Sequence, residues 1–438
     1  MLDLTQKKIT MIGAQRSGIA LAKLITRLKG IACISERQAR ETLTDEARQW
    51  LSQQQIECEF GGHTQKFIEK SDMVVLSPGV RSDAPPVEWA KAKHIPVLGE
   101  IEFAFQFCPK PVIAVTGSNG KTTTVTLIHQ VLEAAGFRSC LCGNIGTPFS
   151  SQVLDLQDKD FVVVEISSFQ LEVVLDPAAI ARLNKNGLAI TGFKPHIAVI
   201  LNCNQNHLDR HKDFTEYLEA KKRIFIHQER YDFAVLNGGD TSLNQLDRCL
   251  TPQVKYFNHS KVPFDAAIRN PNFMAAAQVA EILKISPNIY TKVFEDFKGV
   301  EHRLELVRLL DGVQFINDSK STTAESGRWA LNNFNQPIIL ICGGRDKNID
   351  FSVLREDVRK KVKNMIVIGE ARVKIKNALG DLVPIEEAPT LEEAVAKAHD
   401  MARPKDFVVL SPMCTSFDMF RDYEHRGKRF KEIVSELR

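Results

Sequence analysis

The sequence predicts an α/β protein made of three alternating strand and helix units in series. Short β-branched runs recur along the chain, and they are near-continuously apolar, as strands buried on both faces of a parallel sheet must be. Stretches with helical spacing separate them, and the alternation restarts after a proline-bearing stretch near residue 96 and again after about residue 298. The length of 438 residues fits about two to four domains, and 44% hydrophobic with 25% charged residues is ordinary for globular protein.

The first unit carries KKITMIG, IACISE and DMVVLSPG. HIPVLGEIEFAFQFCPKP, with prolines at 96, 109 and 111, joins it to a second unit with PVIAVTGS, DFVVVEISS, HIAVILN and FAVLNGG. A seam near VFEDFKGVEHR leads to a third unit with VQFINDS, PIILICGG, NMIVIGE and DFVVLSP, broken by helical segments such as LEEAVAKAHDMA. The expected domains are 1–97, 98–297 and 298–438. Nothing repeats at a fixed period, which excludes solenoids.

A formal charge of +3 gives no global field for nucleic acid or an anionic membrane, so an anionic ligand must be held by local groups. The nine cysteines are scattered without C-x-x-C spacing, which fits buried thiols in a reducing cytoplasm. Cys140 and Cys142 alternate along a strand, too few ligands for a metal centre. The start MLDLTQKKITMIG has no apolar signal core and no run of about eighteen apolar residues occurs, so a cytoplasmic chain without membrane insertion is expected.

In ITMIGAQRSGIALAKLI, Gly13 and Gly18 take the outer places of G-x-G-x-x-G, but Gln15 takes the middle one. A side chain there obstructs a pyrophosphate, which argues against a dinucleotide oxidoreductase, although the helix start can hold another diphosphate. ISER and SPG end strands of the same unit, so Ser35, Glu36, Arg37 and Gly79 should open onto one edge with the Gly13 turn.

VTGSNGKTTT poses a spacing problem: counting back from Gly120-Lys121, Val115 stands where the standard phosphate loop has its first glycine. The strand before and the helix after still aim backbone amides at one spot, with Lys121 as a point charge and Thr122 as a hydroxyl for Mg²⁺. Glu165 ends the apolar run of the next strand, a suitable hard oxygen for that ion. His207, Asp209, His211 and a lysine-rich helix follow a third strand and should open onto the same edge; on its own, Lys221 reads as a solvated helix residue.

TGSNGKTT, GNIGTP, EISSFQLE, NHLDRH, YLEAKKRIF, HRLE, NDSKST and SPMCTSFDMFRDYEHRG together resemble the Mur ligase family over nearly the whole chain, and the last two strings resemble its D-glutamate-adding branch. The resemblance implies a Rossmann-like UDP-binding unit, a central phosphate-loop ATPase sheet and a C-terminal Rossmann-like unit. It implies an ADP-forming ligase that joins D-glutamate to UDP-N-acetylmuramoyl-L-alanine through an acyl phosphate, in peptidoglycan precursor synthesis. ATP, two Mg²⁺ sites and a monomer are implied with it.

By the same resemblance Gly117, Ser118, Asn119, Gly120, Lys121, Thr122 and Thr123 would cradle ATP, with Asn270, His302, Arg303, Asp318 and Lys320 as further nucleotide contacts. Thr122 and Glu165 would hold one Mg²⁺, and His207 with a carbamylated Lys221 the other; Lys121, Glu165, His207 and Lys221 form the catalytic set. Gly13, Arg16, Ser17, Gly18, Ser35, Glu36, Arg37, Gly79 and Asn144 would hold the UDP substrate, and Thr322, Lys347, Ser416, Phe417 and Tyr423 the D-glutamate. Two positions depart from the family pattern. Asn206 stands where an acid commonly precedes the histidine, and in IRNPNFMAAA only Asn270 matches the usual pair of asparagines, Asn272 being out of place. Folylpolyglutamate-type ligases share the loop, and a phosphate-loop switch or motor protein would need no amino-acid pocket.

Overall fold

The computed structural model describes residues 2–144, 146–204, 211–244, 246–258, 270–346 and 349–437. The chain divides into two compact units, Met1–Phe297 and Lys298–Arg438. The first unit holds two sheets. β1 (Lys8–Ile12), β2 (Ile31–Glu36), β3 (Glu57–Phe60), β4 (Met73–Leu76) and β5 (Val97–Gly99) form a parallel sheet ordered β3-β2-β1-β4-β5. β6 (Val112–Thr116), β7 (Ser139–Gly143), β8 (Phe161–Glu165), β9 (Ile197–Ile200), β10 (Phe233–Asn237) and β11 (Gln253–Phe257) form a second parallel sheet ordered β11-β10-β9-β6-β8-β7.

The second unit holds β12 (Glu305–Leu310), β13 (Val313–Asn317), β14 (Ile338–Gly343), β15 (Val362–Ile368), β16 (Ile385–Glu387) and β17 (Phe407–Leu410), ordered β12-β13-β17-β14-β15-β16. Only β12 runs antiparallel to its neighbour among these strands. No helix among the described residues is long and apolar enough to cross a membrane.

The apolar-run pattern identifies β1, β2, β4, β6, β8, β9, β10, β13, β14, β15 and β17, all interior strands. The six it does not mark as runs, β3, β5, β7, β11, β12 and β16, are the six sheet edges, and β7 shows only as the alternation of Cys140 and Cys142. All nine cysteines are free, but Cys249 is exposed and Cys58 and Cys108 are half-buried, so not every thiol belongs to the core.

The two sheets of the first unit share one core. Met11 and Leu21 lie in the same buried cluster as Ala114 and Val164, bridged by Phe103 of the connecting helix Glu100–Phe105 and by Phe149. That helix also buries two acids. Burial pushes the Glu102 carboxyl up to about 7, opposed by backbone hydrogen bonds, including the Leu175 N–H at 3.1 Å, and by the charge of Arg223. The folded state therefore holds this proton more tightly than the unfolded chain. The resulting stability is present below the ordinary carboxyl value and is lost as pH rises towards 7. Glu102→Gln should lose less stability than the parent between about pH 5 and about pH 8, by up to ~3 kcal/mol. Parallel urea melts of the two proteins at both pH values check this, and an equal loss in the two would rule it out.

Candidate active site

β6 pairs with β8 on one side and β9 on the other, with Val115 opposite Glu165 and Thr116 opposite Ile200. This register brings three strand ends to one edge, where the phosphate loop turns into the helix Lys121–Ala134. Gly120 caps that helix at φ +83°, and a Cβ on it would meet the side chain of Asn272, so the position excludes other residues on two grounds. Asn202 clamps the loop by accepting the Asn119 N–H at 2.9 Å and donating to the Asn119 carbonyl at 3.1 Å. Ser118 Oγ accepts the Asn204 N–H at 2.9 Å and lies 2.9 Å from Tyr217 Oη. The Lys121 ammonium folds back on the Gly117 and Ser118 carbonyls at 2.8 and 3.0 Å. Thr122 is buried one residue further on, and Thr123 is half-buried.

Glu165 is 1% exposed. Its Oε1 accepts from Asn144 Nδ2 at 3.1 Å, and its backbone carbonyl accepts the Asn144 N–H at 2.8 Å. Among the described residues its Oε2 has no hydrogen-bond partner, an expensive state for a buried carboxyl oxygen. A hard cation is the kind of partner that oxygen lacks, so the residues present fit magnesium.

Lys221 overturns its reading as a solvated helix residue: it is 1% exposed. Its Nζ lies 3.4 Å from Thr116 Oγ1, its hydrogen-bond acceptor, and 4.5 Å from the centre of the Tyr217 ring. Burial, reinforced by the nearby charge of Lys121, holds its ammonium well below the ordinary lysine value. His207 lies outside the described residues, as does Asn206. His211 is buried, with its ring nitrogen 3.2 Å from Ser168 Oγ.

Around the first sheet, the turn after β1 holds Gly13 at φ +94°, and a Cβ on Gly18 would sit 1.9 Å from the Gly13 carbonyl oxygen. The Glu36 carboxyl accepts the Ala14 N–H at 2.6 Å and the Gln38 N–H at 2.8 Å. Ser35 is fully buried, its hydroxyl donating to Glu59 at 2.5 Å and lying 2.6 Å from His63 Nδ1, so it supports the edge from within. Arg16, Arg37, Gly79 and Asn144 are exposed, and Ser17 is half-buried.

In the second unit, the ends of the adjacent strands β13 and β17 bring NDSKST and SPMCTSF side by side. Burial pushes the Asp318 carboxyl up to about 7; Ser411 Oγ donates to it at 2.8 Å and the Leu304 N–H at 3.3 Å. His302 is buried at φ +64°, its Nδ1 2.9 Å from Asn317 Nδ2, and burial lowers its basicity. The Lys320 N–H donates to the His302 carbonyl at 3.1 Å, and its ammonium lies 5.9 Å from the Tyr423 ring centre. The Arg303 guanidinium lies 5.9 Å from the Trp329 ring centre. Ser416 is buried, Thr322 half-buried and Phe417 57% exposed; Lys347 lies outside the described residues. Glu301, His302 and Glu305 cluster at metal-ligand spacing, but the Lys431 ammonium donates to both acids at 3.0 and 2.6 Å and already supplies their positive charge.

Four residues gain weight that sequence reasoning did not give them: Asn202, Tyr217, Asn272 and Arg426. Tyr217 lies one helical turn before Lys221, a signal the i,i+4 spacing contained. Asn272 stands against Gly120 and 3.4 Å from Thr124 Oγ1, while Asn270 caps its own helix through the Asn272 N–H at 2.9 Å. Buried Arg426 donates to Ser319 Oγ, the Ser319 carbonyl and the Cys414 carbonyl at 3.0, 2.8 and 3.1 Å, tying together the loops that follow β13 and β17.

Three family models match the chain in order: Mur ligase MurD-like, N-terminal domain over residues 7–99, Mur ligase middle domain over 115–270, and Mur ligase, glutamate ligase domain over 302–414. The chain belongs to the Mur ligase family. It is 37% identical to a UDP-N-acetylmuramoylalanine--D-glutamate ligase of Thermoanaerobacter pseudethanolicus over 100% of both chains. It is 34% identical to the protein of the same name from Geobacter sp. strain M21, over 99% of this chain and 98% of that one. Among solved structures it resembles the UDP-N-acetylmuramate-alanine ligase of Thermotoga maritima, with TM-score 0.56 at 18% identity over 98% and 99% of the chains. It also resembles the bifunctional folylpolyglutamate synthase/dihydrofolate synthase of Yersinia pestis, with TM-score 0.55 at 13% identity over 81% and 99%. These two likenesses establish the three-domain Mur ligase fold.

Because Tyr217 Oη is buried against the Mur ligase phosphate loop, Tyr217→Phe should cost about 1 kcal/mol of stability. It should also weaken Mg-ATP binding several-fold, measured by the ligand-induced shift in Tm. A variant with unchanged Mg-ATP affinity would show that the contact supports only the fold.

Proposed function

We propose that this Mur ligase joins D-glutamate to UDP-N-acetylmuramoyl-L-alanine at the expense of ATP, as a cytoplasmic monomer in peptidoglycan precursor synthesis. The observation that carries the reading is the full-length likeness to curated relatives named for that reaction. Residues 1–97 would serve the UDP substrate, 98–297 the ATP, and 298–438 the amino acid.

In the first step the alanine carboxylate attacks the γ-phosphorus of ATP, and ADP leaves an acyl phosphate. The D-glutamate amine then displaces phosphate and loses a proton as the amide forms. Two anions meet in the first step, so the phosphate loop must neutralise charge. Lys121 would leave the Gly117 and Ser118 carbonyls for the phosphoryl oxygens, while the loop amides and the start of the helix Lys121–Ala134 hold the triphosphate. Magnesium, when bound, supplies further positive charge; Thr122 and Glu165 would hold one ion, and His207 with carbamylated Lys221 the other. Asn144, bonded to Glu165, would orient the substrate's carboxylate end. Asn270, His302, Arg303, Asp318 and Lys320 would be further nucleotide contacts, and Thr322, Lys347, Ser416, Phe417 and Tyr423 would take the two carboxylates of D-glutamate, which need charged or hydroxyl partners once buried.

The environment of Lys221 supports the carbamate. Its buried, weakly basic amine is neutral far more readily than a surface lysine, and a neutral nitrogen can attack CO₂ and release a proton, leaving an anionic oxygen donor. An ammonium cannot ligate a cation, but this carbamate can. The Lys221 peptide of active enzyme should carry the mass of one added CO₂, and Lys221→Ala should be inactive; a bare amine in active enzyme would sink the assignment. Lys121→Ala should lose at least ~10²–10³-fold in kcat. The reaction itself is tested by phosphate release from Mg-ATP with UDP-N-acetylmuramoyl-L-alanine and, in turn, D-glutamate, L-glutamate, meso-diaminopimelate or L-lysine. Release should require D-glutamate; dependence on another amine would change the substrate, and amine-independent release would favour a plain ATPase.

A further inference from the structure

The reaction leaves one buried acid of the connecting helix without a role. Glu100 opens the helix Glu100–Phe105 directly after β5 and is 2% exposed. Its Oε1 accepts the Ser150 N–H at 2.9 Å, in the short helix Phe149–Gln152 that follows GNIGTP. Glu100 Oε2 and Ser150 Oγ are both buried without hydrogen-bond partners among the described residues. Gln170, which closes the capping box with Ser167 at the start of the helix Ser168–Glu172 just after β8, also bears on this carboxyl. The approach there is close, since a Cβ on Gly99 would meet Val173 Cγ2 at 2.5 Å.

These contacts converge on one pair of residues. The segment ending in Ser150 carries Asn144, and the segment leading to Gln170 carries Glu165; Asn144 and Glu165 are bonded to each other through side chain and backbone. We propose that Glu100 is a positioning residue of the ligase site: through its bond to the Ser150 N–H it fixes the segment on which Asn144 stands, and through Asn144 the setting of Glu165, and so the geometry in which the substrate carboxylate is held. This rests on the ligase reading given above. Burial pushes the Glu100 carboxyl up, and the groups that bear on it are the Ser150 amide and hydroxyl, the Gln170 amide and the Cys142 thiol. A neutral side chain of the same shape should therefore do the same work.

The test compares Glu100→Ala and Glu100→Gln in steady-state assays of the full chain. Glu100→Ala should raise the KM for UDP-N-acetylmuramoyl-L-alanine and the half-saturating Mg²⁺ about tenfold, leaving the KM for D-glutamate within about twofold. Glu100→Gln should restore both to within about twofold of the parent. Glu100→Asp keeps the acid but withdraws it by one methylene; it replaces Glu100→Ala if that variant does not fold, and should shift the same constants. A fall in kcat alone with KM values unmoved, or a Gln variant as defective as the Ala or Asp variant, overturns the proposal. The parent's own D-glutamate-dependent turnover tests the ligase reading separately. The Tm shift induced by Mg-ATP, smaller in Glu100→Ala or Glu100→Asp than in the parent and in Glu100→Gln, reads the positioning role without the second substrate; equal shifts in all variants also overturn it.

Discussion

The site of the first unit hangs on the parallel register of β6 between β8 and β9. A register shift of one residue on β8 would take Glu165 off the strand end and reverse which face its side chain occupies. The same pairing on the other side delivers Asn202, two residues past β9, to clamp the phosphate loop. Parallel strands must all end on the same edge, so one β6 strand aligns the loop, the acid and the asparagine without any of them being adjacent in sequence. The cost is an edge crowded with polar groups under an apolar sheet. The structure meets it by bonding Ser118, Asn144 and Lys121 to backbone groups and the Asn119 backbone to the Asn202 side chain.

Lys221 shows what that edge does to chemistry. Its ammonium faces Lys121 and the ring of Tyr217, with Thr116 Oγ1 as its hydrogen-bond acceptor. A ring face recovers part of the lost hydration of a cation, about 0.5–2 kcal/mol, less than full burial of a charge demands. The position therefore favours the neutral amine, the form the proposed carbamate needs. Tyr217 joins this lysine to the phosphate loop through Ser118, so the two halves of the site are held by one side chain.

Interior strands were legible in the sequence because burial on both faces leaves a continuous apolar run, and the edges β3, β11, β12 and β16 were not because one side meets solvent. β3 reads ECEF and β16 reads IEE, with no residue buried in either. The phosphate loop and Glu165 were legible as well, since strand, glycine turn and helix follow one another locally. Lys221 was not: its helix carries Glu216, Glu219, Lys222 and Arg223 nearby and looks solvated, and only the packing of the helix against β6 buries the one lysine that faces it. Asn272 and Arg426 were hidden for the same reason, because their partners Gly120, Ser319 and Cys414 are brought to them by tertiary contacts.

The first sheet shows how a familiar turn is turned to a different ligand. In a dinucleotide site the acid at the end of β2 serves the ribose, but here the Glu36 carboxyl is taken up by the Ala14 and Gln38 amides. Gln15 adds its side chain to the same turn and lies 3.3 Å from Gln38. Under the proposed function a diphosphate would be met further along, at the first turn of the helix Arg16–Arg27. The exposed Arg16 and Arg37 would supply positive charge to it. The glycines at 13 and 18 are therefore kept for packing: Gly18 lets the helix close onto the Gly13 carbonyl, and Gly13 lets the chain pass Ser77 at φ +94°. The G-x-x-x-x-G spacing survives in this unit because helix, turn and strand β4 must touch, and that requirement is independent of which nucleotide the edge receives.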